Sequence, residues 1–220
     1  MLQTVMADYY AHESAIINPG AEIGPDTKGW HFAHICDGAV IGGGCSFGQN
    51  TIVAGGVKVG GNVKGQNNVA IYTGTEIEYD VFLGPSCVLT KVTNPRSQVV
   101  RCGLYETTLI RRGATVGANA AVICGTTIGR YAFIAAGAAV ARDVPDYGFI
   151  MGVPGRLQGW MSCHGHLLEF NDSGEATCVE SVFRYQKRDE QVTCLDLDEE
   201  APLPEDLPVG ERTYDDYNKL

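Results

Sequence analysis

The chain has 220 residues and a formal charge of −10, enough for one domain with a buried core and an appendage. Glycine occurs 28 times and aromatic residues make up only 9 %, so the core is built from small and aliphatic side chains, which disfavours a helical bundle. Residues 1–162 hold 11 acidic and 11 basic side chains while residues 163–220 hold 15 and 5, so the acidity belongs to a solvated tail and nothing in the body opposes an anionic ligand.

Met1 to Ala11 has no basic residue ahead of an apolar stretch and carries Asp8, which argues against a secretory signal. The longest apolar run, Tyr131 to Ala141, is about half of the roughly 20 residues that span a bilayer, so a cytoplasmic protein without membrane insertion is expected. The eight cysteines are scattered and several fall on core positions of the repeat below, a pattern of reduced thiols rather than of a disulfide framework. No basic stripe supports nucleic-acid binding.

From Ile17 a six-residue period steps through Ile23, Gly29, Ile35, Ile41, Phe47, Val53, Val59, Gly65, Ile71, Ile77, Leu83 and Leu89. Four places after each large residue comes a small or β-branched one, from Ala21 and Thr27 to Cys87 and Thr93. Residues 90–109 interrupt the pattern, and Ile110, Val116, Val122, Ile128, Ile134 and Val140 resume it. A period of six is neither that of a strand nor that of a helix. It describes a solenoid of short strands and turns, three sides making a coil of about 18 residues. The interrupting loop adds about 15 residues and holds Asn94-Pro95-Arg96, Arg101 and Tyr105; a long loop inside a solenoid is usually functional. The repeat ends at Gly152-Val153-Pro154-Gly155-Arg156, so the solenoid domain is expected over 1–162. A small β cap is expected over 163–194 and an acidic tail, extended or partly disordered, over 195–220.

These motifs resemble the hexapeptide-repeat acyltransferases, which implies an all-β, left-handed parallel β-helix. The hand comes from that resemblance, because strand twist alone favours right-handed crossovers. A zinc hydratase of such a fold needs three histidine ligands; the coils counted from Ile17 offer His31 and His34, and none follows between Val40 and Met161. Laid on 18-residue coils, one corner stacks Trp30-His31-Phe32, Gly48-Gln49-Asn50, Gln66-Asn67-Asn68 and Gly84-Pro85-Ser86. If the second block resumes in phase, Gly117-Ala118-Asn119 and Ala135-Ala136-Gly137 continue it, leaving room for a slender ligand such as pantetheine. Arg142 and Arg156 lie beyond that small-residue corner, where they can meet the phosphates of coenzyme A or simply be solvated.

The resemblance narrows with Trp30-His31-Phe32-Ala33-His34, Gln66-Asn67-Asn68, Phe82-Leu83-Gly84-Pro85-Ser86, Asn94-Pro95-Arg96 and Arg111-Arg112-Gly113-Ala114. Over residues 12–165 the chain is similar to nucleotide-sugar N-acetyltransferases, nearest to the UDP-2-acetamido-3-amino-2,3-dideoxy-glucuronate N-acetyltransferases of surface-polysaccharide (O-antigen, lipopolysaccharide) biosynthesis. It departs from them at Lys91, where family members often carry Asn. The resemblance implies a homotrimer with sites between neighbouring coils, acetyl-CoA as co-substrate and no metal. The acceptor is a 3-amino sugar nucleotide, the UDP-linked glucuronate or alternatively a dTDP-3-amino-6-deoxy sugar; a non-catalytic assembly module is the other reading.

Attack of an amine on a thioester needs an unprotonated amine and an oriented carbonyl. A ring amine among electron-withdrawing oxygens is less basic than lysine, so positioning can suffice, with the leaving thiolate taking the proton. Asn94, Asn67 or Asn68 would orient the amine, and a backbone N–H near Gly137 would polarise the acetyl carbonyl. His31 is favoured over His34 as base or sugar ligand, structural histidines being the alternative. Trp30, Tyr72, Gln49 and Gln66 are placed with the sugar nucleotide, and Lys91, Arg96, Arg101 and Arg111 with its carboxylate and pyrophosphate. Arg112, Asn119, Gly137, Ala138, Arg142, Pro154 and Arg156 are assigned to the coenzyme. In the cap Cys163, His164, His166, Cys178 and Cys194 sketch a zinc site, but without the tight cysteine pairs of a zinc ribbon.

Overall fold

The structure is a computed structural model that describes residues 8–204, 209–210 and 212–218. Part of the N-terminal segment used to argue against a signal, and tail positions 205–208, 211, 219 and 220, lie outside the described residues.

Two- and three-residue strands stack into three parallel sheets that form the sides of a prism. The first face has nine strands, running from Tyr10–Ala11 and Lys28–Gly29 to Phe133–Ile134 and Gly148–Met151, and is closed by the antiparallel strand Arg156–Trp160. The second face has seven strands, Ile16–Ile17 to Ala139–Val140, and the third has six, Glu22–Ile23 to Thr127–Ile128. Tyr10 faces Lys28, Lys28 faces Ser46 and Ser46 faces Lys64, a step of 18 residues per coil. Phe82 faces Thr115 and Val88 faces Ala121, so the second block resumes in phase after an insertion of 15 residues.

The large residue of each repeat and the small one four places on point inward: Ile35, Phe47, Ile71, Leu83, Ile110 and Ile134 are buried together with Ala39, Thr51, Val81, Ala114 and Ala138. Each turn of the prism adds another layer of apolar area removed from water, which is the main stabilising term of such a core. Cys45 and Cys87 take inward positions, and burial pushes the Cys87 thiol up to about 12. Two glycines stand where the repeat calls for a large residue, and both flank Phe47. Gly29 and Gly65 face it from the coils on either side, and a Cβ on Gly65 would lie 3.1 Å from the Phe47 ring.

Thr93 is not an inward residue. It is exposed in the loop and its hydroxyl donates to Glu106 at 2.9 Å, while Thr108, facing Thr75, takes the inward position ahead of Ile110. The insertion therefore ends at 107, two residues sooner than the repeat suggested, because Thr108–Ile110 is already a strand of the third face.

Beyond Trp160 a three-stranded antiparallel meander, Glu175–Thr177, Arg184–Arg188 and Gln191–Cys194, forms the cap. Its core joins Trp160, Tyr185, Cys178 and Cys194 to Tyr131 and Tyr147 of the last coils. Parts of the tail pack onto the solenoid and the cap. Glu199 accepts hydrogen bonds from the Tyr147 hydroxyl at 2.8 Å and the Cys194 N–H at 3.0 Å, Glu200 pairs with Arg130, and Tyr214–Asn218 is a short helix beside His166. Charge composition alone could not show that two of the tail's carboxylates have buried or half-buried partners on the solenoid.

Candidate active site

The insertion leaves the corner between the second and third faces and folds back over the outer edge of the second. Thr90 Oγ1 accepts the Cys124 N–H at 2.9 Å, and the Glu106 N–H donates to the Lys91 carbonyl at 3.2 Å, which close the loop at its base. Lys91 Nζ lies 5.0 Å from the Tyr72 ring centroid and 4.9 Å from that of Tyr105, a cation held between two aromatic faces. Between loop and sheet is a cavity of about 640 Å³ lined by Val88, Lys91, Pro95, Arg96, Arg101, Cys102 and the two tyrosines. Arg101 Nε is buried there without a hydrogen-bond partner. Tyr72, Lys91, Arg96 and Arg101 are thus brought together as the sequence suggested, but Tyr72 faces a lysine of its own chain. Asn94 is exposed on the loop and is not among the cavity's lining residues.

The polar column stands at the other edge of the second face, at its corner with the first. Backbone hydrogen bonds climb it from coil to coil: Asn50 to His31, Asn68 to Gln49, Ser86 to Asn67, Asn119 to Pro85 and Gly137 to Ala118. Trp30, His31, Gln49, Gln66 and Asn67 line a shallow groove there, apart from the loop cavity. Much of the column's polarity has a structural use. Asn50, Asn68 and Asn119 take φ of 58°, 61° and 55°, which asparagine tolerates, and Asn50 Nδ2 donates to Asn68 Oδ1 at 3.2 Å. Asn67 Oδ1 accepts the Gln49 N–H at 2.9 Å, over Gly48, where a Cβ would fall 2.4 Å from that oxygen.

His31 is at the exposed turn and His34 on the second face, as their register implied. His31 stacks at 3.6 Å on His12, a first-coil residue that the repeat, counted from Ile17, did not reach. His34 Nε2 lies 2.7 Å from Asn18 Oδ1. Trp30 packs against Tyr10 and donates from Nε1 to Ser46 Oγ at 3.0 Å.

At the end of the solenoid the Ala139 N–H donates to Gly152 O at 3.1 Å and the Gly155 N–H to Ala139 O at 2.7 Å. This folds Pro154-Gly155-Arg156 over Ala139, and Arg142, Pro154 and Arg156 line one groove of about 380 Å³. Beside it one residue assigned to the coenzyme is buried, and one donor proposed for the oxyanion is taken. Ala138 is an inward core residue, 1 % exposed, and the Gly137 N–H is already donated to Ala118 O at 2.8 Å, so that group is not a ready oxyanion donor.

Arg111 and Arg112 are not near the loop. They occupy the corner between the third and first faces, where Arg111 lies 3.6 Å from Glu78 and 3.7 Å from Asp146, and Arg112 lies 2.6 Å from Asp80 and over the Tyr79 ring. Adjacency in sequence to the loop's end suggested otherwise; the strand Thr108–Ile110 carries them across a whole face. Among the described residues the arginine ion pairs engage Arg111, Arg112, Arg130 and Arg184 and leave out Arg96, Arg101, Arg142 and Arg156. In the cap His166 pairs with Glu180 at 2.8 Å and Cys163 accepts from the Tyr185 hydroxyl at 3.1 Å; no group of three metal-ligating side chains comes together among the described residues. Burial pushes the Cys163 thiol up to about 12. No helix among them is long and apolar enough to cross a membrane.

No protein-family model matches the chain. It is 38 % identical over 74 residues to a dTDP-3-amino-3,6-dideoxy-α-D-galactopyranose 3-N-acetyltransferase of Aneurinibacillus thermoaerophilus, covering 34 % of this chain and 38 % of that protein. It is 34 % identical over 145 residues to an acyl-[acyl-carrier-protein]–UDP-N-acetylglucosamine O-acyltransferase of Sinorhizobium medicae, covering 65 % and 50 %. The chain thus spans half or less of the length of these curated relatives. Among solved structures, the acetyltransferase domain of PglB from Neisseria gonorrhoeae has a TM-score of 0.43 at 20 % identity, covering 67 % of this chain and 56 % of that one. A perosamine N-acetyltransferase variant from Caulobacter crescentus, in complex with CoA and GDP-perosamine, has a TM-score of 0.39 at 23 % identity, covering 67 % and 55 %.

Proposed function

We propose that the chain is an acetyl-CoA-dependent N-acetyltransferase of the left-handed β-helix class acting on a nucleotide-linked amino sugar. The observation that carries this reading is the pair of separate cationic basins. Lys91, Arg96 and Arg101 line the loop cavity, Arg142 and Arg156 line the terminal groove, and none of them is in an ion pair among the described residues. Two basins suit a reaction between two polyanions, a sugar nucleotide and coenzyme A. The likeness to a sugar 3-N-acetyltransferase supports the same chemistry.

In this mechanism the neutral sugar amine attacks the thioester carbonyl, the C–N bond forms as the C–S bond breaks, and the departing thiolate takes the amine proton. The protein supplies position and charge rather than a strong base. Lys91, flanked by two aromatic faces, and the two loop arginines hold the substrate's anionic groups. The polar column, Asn67 foremost, and Asn94 orient the amine. Within one chain the loop cavity and the column lie at opposite edges of the second face. A homotrimer with sites between neighbouring coils, the column of one subunit beside the loop of the next, would unite them.

The UDP-linked 3-amino uronate is the acceptor that uses all three loop cations. The dTDP-linked 3-amino-6-deoxy sugar is the second reading, favoured by the substrate of the Aneurinibacillus relative. Thiol release from acetyl-CoA with a panel of UDP- and dTDP-linked 3-amino sugars, and their hydroxyl counterparts as controls, tests both. Turnover with the UDP-linked uronate alone establishes the first; preference for the neutral dTDP sugar establishes the second; no turnover with any amino sugar refutes the function. Mixing Asn67→Ala and Asn94→Ala subunits tests the shared site: recovered activity supports it, and a mixture no better than either variant refutes it.

A further inference from the structure

The groove that holds Arg142 and Arg156 has a second wall that the coils do not supply. In the cap, Arg188 faces Gln191 across a two-residue turn, Asp189 adopts φ of 54°, and the turn delivers Glu190 to that groove. The turn's approach is fixed from below. Lys187 Nζ lies over the rings of Trp160 and Phe170, at 5.4 Å and 6.0 Å, and Trp160 ends the strand that begins with Arg156.

The groove's other carboxylate, Asp143, is committed to the third face, where it accepts the Thr127 N–H at 2.7 Å. Glu190 takes part in none of the hydrogen bonds or ion pairs found among the described residues, although two guanidinium groups line the same groove. A guanidinium only donates hydrogen bonds and a carboxylate only accepts them. A ligand that suits both walls therefore carries anionic groups on one side and hydrogen-bond donors on the other. A phosphopantetheine thioester keeps its donors, two amide N–H groups and one hydroxyl, on the arm that leads to the thioester, whereas the adenosine end of coenzyme A adds an exocyclic amine and the ribose 2′-hydroxyl on the far side of its phosphates.

Resting on the acetyl-CoA reading above, we infer that Glu190 is a specificity-determining residue that accepts a hydrogen bond from the adenosine end of the coenzyme, while Arg142 and Arg156 hold its phosphates. The cap then forms one side of the coenzyme site as well as covering the end of the solenoid.

The test is calorimetric titration of the full chain with CoA and with 4′-phosphopantetheine, using wild type, Glu190→Ala, Glu190→Gln and Arg156→Ala. Glu190→Ala is expected to weaken CoA about three- to tenfold, the net worth of one hydrogen bond, and to leave phosphopantetheine unchanged. Glu190→Gln keeps an acceptor oxygen and recovers part of the loss, and Arg156→Ala weakens both ligands. Unchanged or tighter CoA binding in Glu190→Ala overturns the inference, tighter binding meaning that the carboxylate only repels phosphate. Equal weakening of both ligands overturns it too. Wild type that binds no CoA overturns the acetyl-CoA reading itself, before any variant is compared. Glu190 lies exposed in a turn, and an unchanged melting midpoint in both variants excludes misfolding as the cause.

Discussion

The two glycines that flank Phe47 should respond to the same substitution with opposite signs. Both backbones accept alanine, since neither has a positive φ, and Gly→Ala at a compatible site stabilises by about 0.4–1 kcal/mol through the unfolded chain. At Gly29 the nearest atoms to a new Cβ are 3.9 Å away, so that gain is kept. At Gly65 the Cβ would meet Phe47 Cδ1 at 3.1 Å, and the ring is fully buried and cannot withdraw. Overpacking of this kind costs about 1–3 kcal/mol, which outweighs the gain. For a protein of this length about 1 kcal/mol moves the melting midpoint by roughly 2–4 °C. Thermal denaturation should therefore show Gly29→Ala one to a few degrees above wild type and Gly65→Ala several degrees below it. In a Phe47→Leu background, where the ring edge is gone, Gly65→Ala should turn stabilising, a coupling expected only for groups in contact. A rise with Gly65→Ala in the native background, or no dependence on residue 47, refutes the packing argument.

Asn94→Ala should lower turnover far more than it weakens acetyl-CoA, and equal losses in both would remove the loop asparagine from amine orientation. Arg156→Ala should raise the acetyl-CoA KM with little change in kcat; a selective fall in kcat would contradict a purely coenzyme-binding role. Lys91→Met loses two cation–π contacts worth about 0.5–1 kcal/mol each, so proteolysis within residues 90–107 should quicken several-fold while the core stays resistant. Of the eight thiols Cys102 alone is exposed, and burial raises Cys87 and Cys163 to about 12; native protein at pH 8 should show one fast thiol with a disulfide reagent, absent in Cys102→Ser. The Arg184 guanidinium and N–H hold Asp196 down to about 2, so its contribution is full above the unfolded value of 3.8 and fades as pH falls through 2. Asp196→Asn should accordingly be less stable than wild type at pH 7, and the difference should shrink as pH falls from 3.8 through 2.

The solenoid was legible because its cause is strictly local: each six-residue unit must bury one large and one small side chain, and outside Gly65 and the insertion that demand is written at each step from Ile35 to Val144. The phase across the insertion stood in the sequence only as a condition, and the pairing of Phe82 with Thr115 and Val88 with Ala121 meets it. What the period could not show was which loop residue returns to it. Thr93 and Thr108 are the same residue type, and only the pairing of Thr75 with Thr108 separates them. The site was harder to read because a corner asparagine serves two masters. Asn67 and Asn68 fit a substrate-binding column, yet a left-handed backbone angle and a ladder of amides account for much of their presence. Tyr105, Glu106 and Glu190 went unassigned for a different reason: Tyr105 and Glu106 meet Lys91 and Thr93 from the far end of the loop, and Glu190 reaches its groove from the cap. The one usable signal was Glu106, the only acidic residue in a loop with three cations.

Ion pairing sorts the arginines by role better than sequence neighbourhood does. Arg111, Arg112 and Arg130 are each partly buried at the corner between the third and first faces, and each has a carboxylate from the same corner or the tail. A guanidinium so neutralised cannot offer its full charge to a phosphate, because the incoming anion must first compete with a carboxylate already in place. Arg96 and Arg156 instead turn one donor onto a neighbouring carbonyl, of Pro95 and Gly155, which orients the group and leaves its charge whole. Replacing Arg112 should thus cost stability at the corner and spare both KM values, while replacing Arg96 should spare stability and raise the KM of the sugar nucleotide. The reverse pattern, measured by melting and by steady-state kinetics on the same two variants, would dissolve the assignment of the cationic basins on which the functional reading stands.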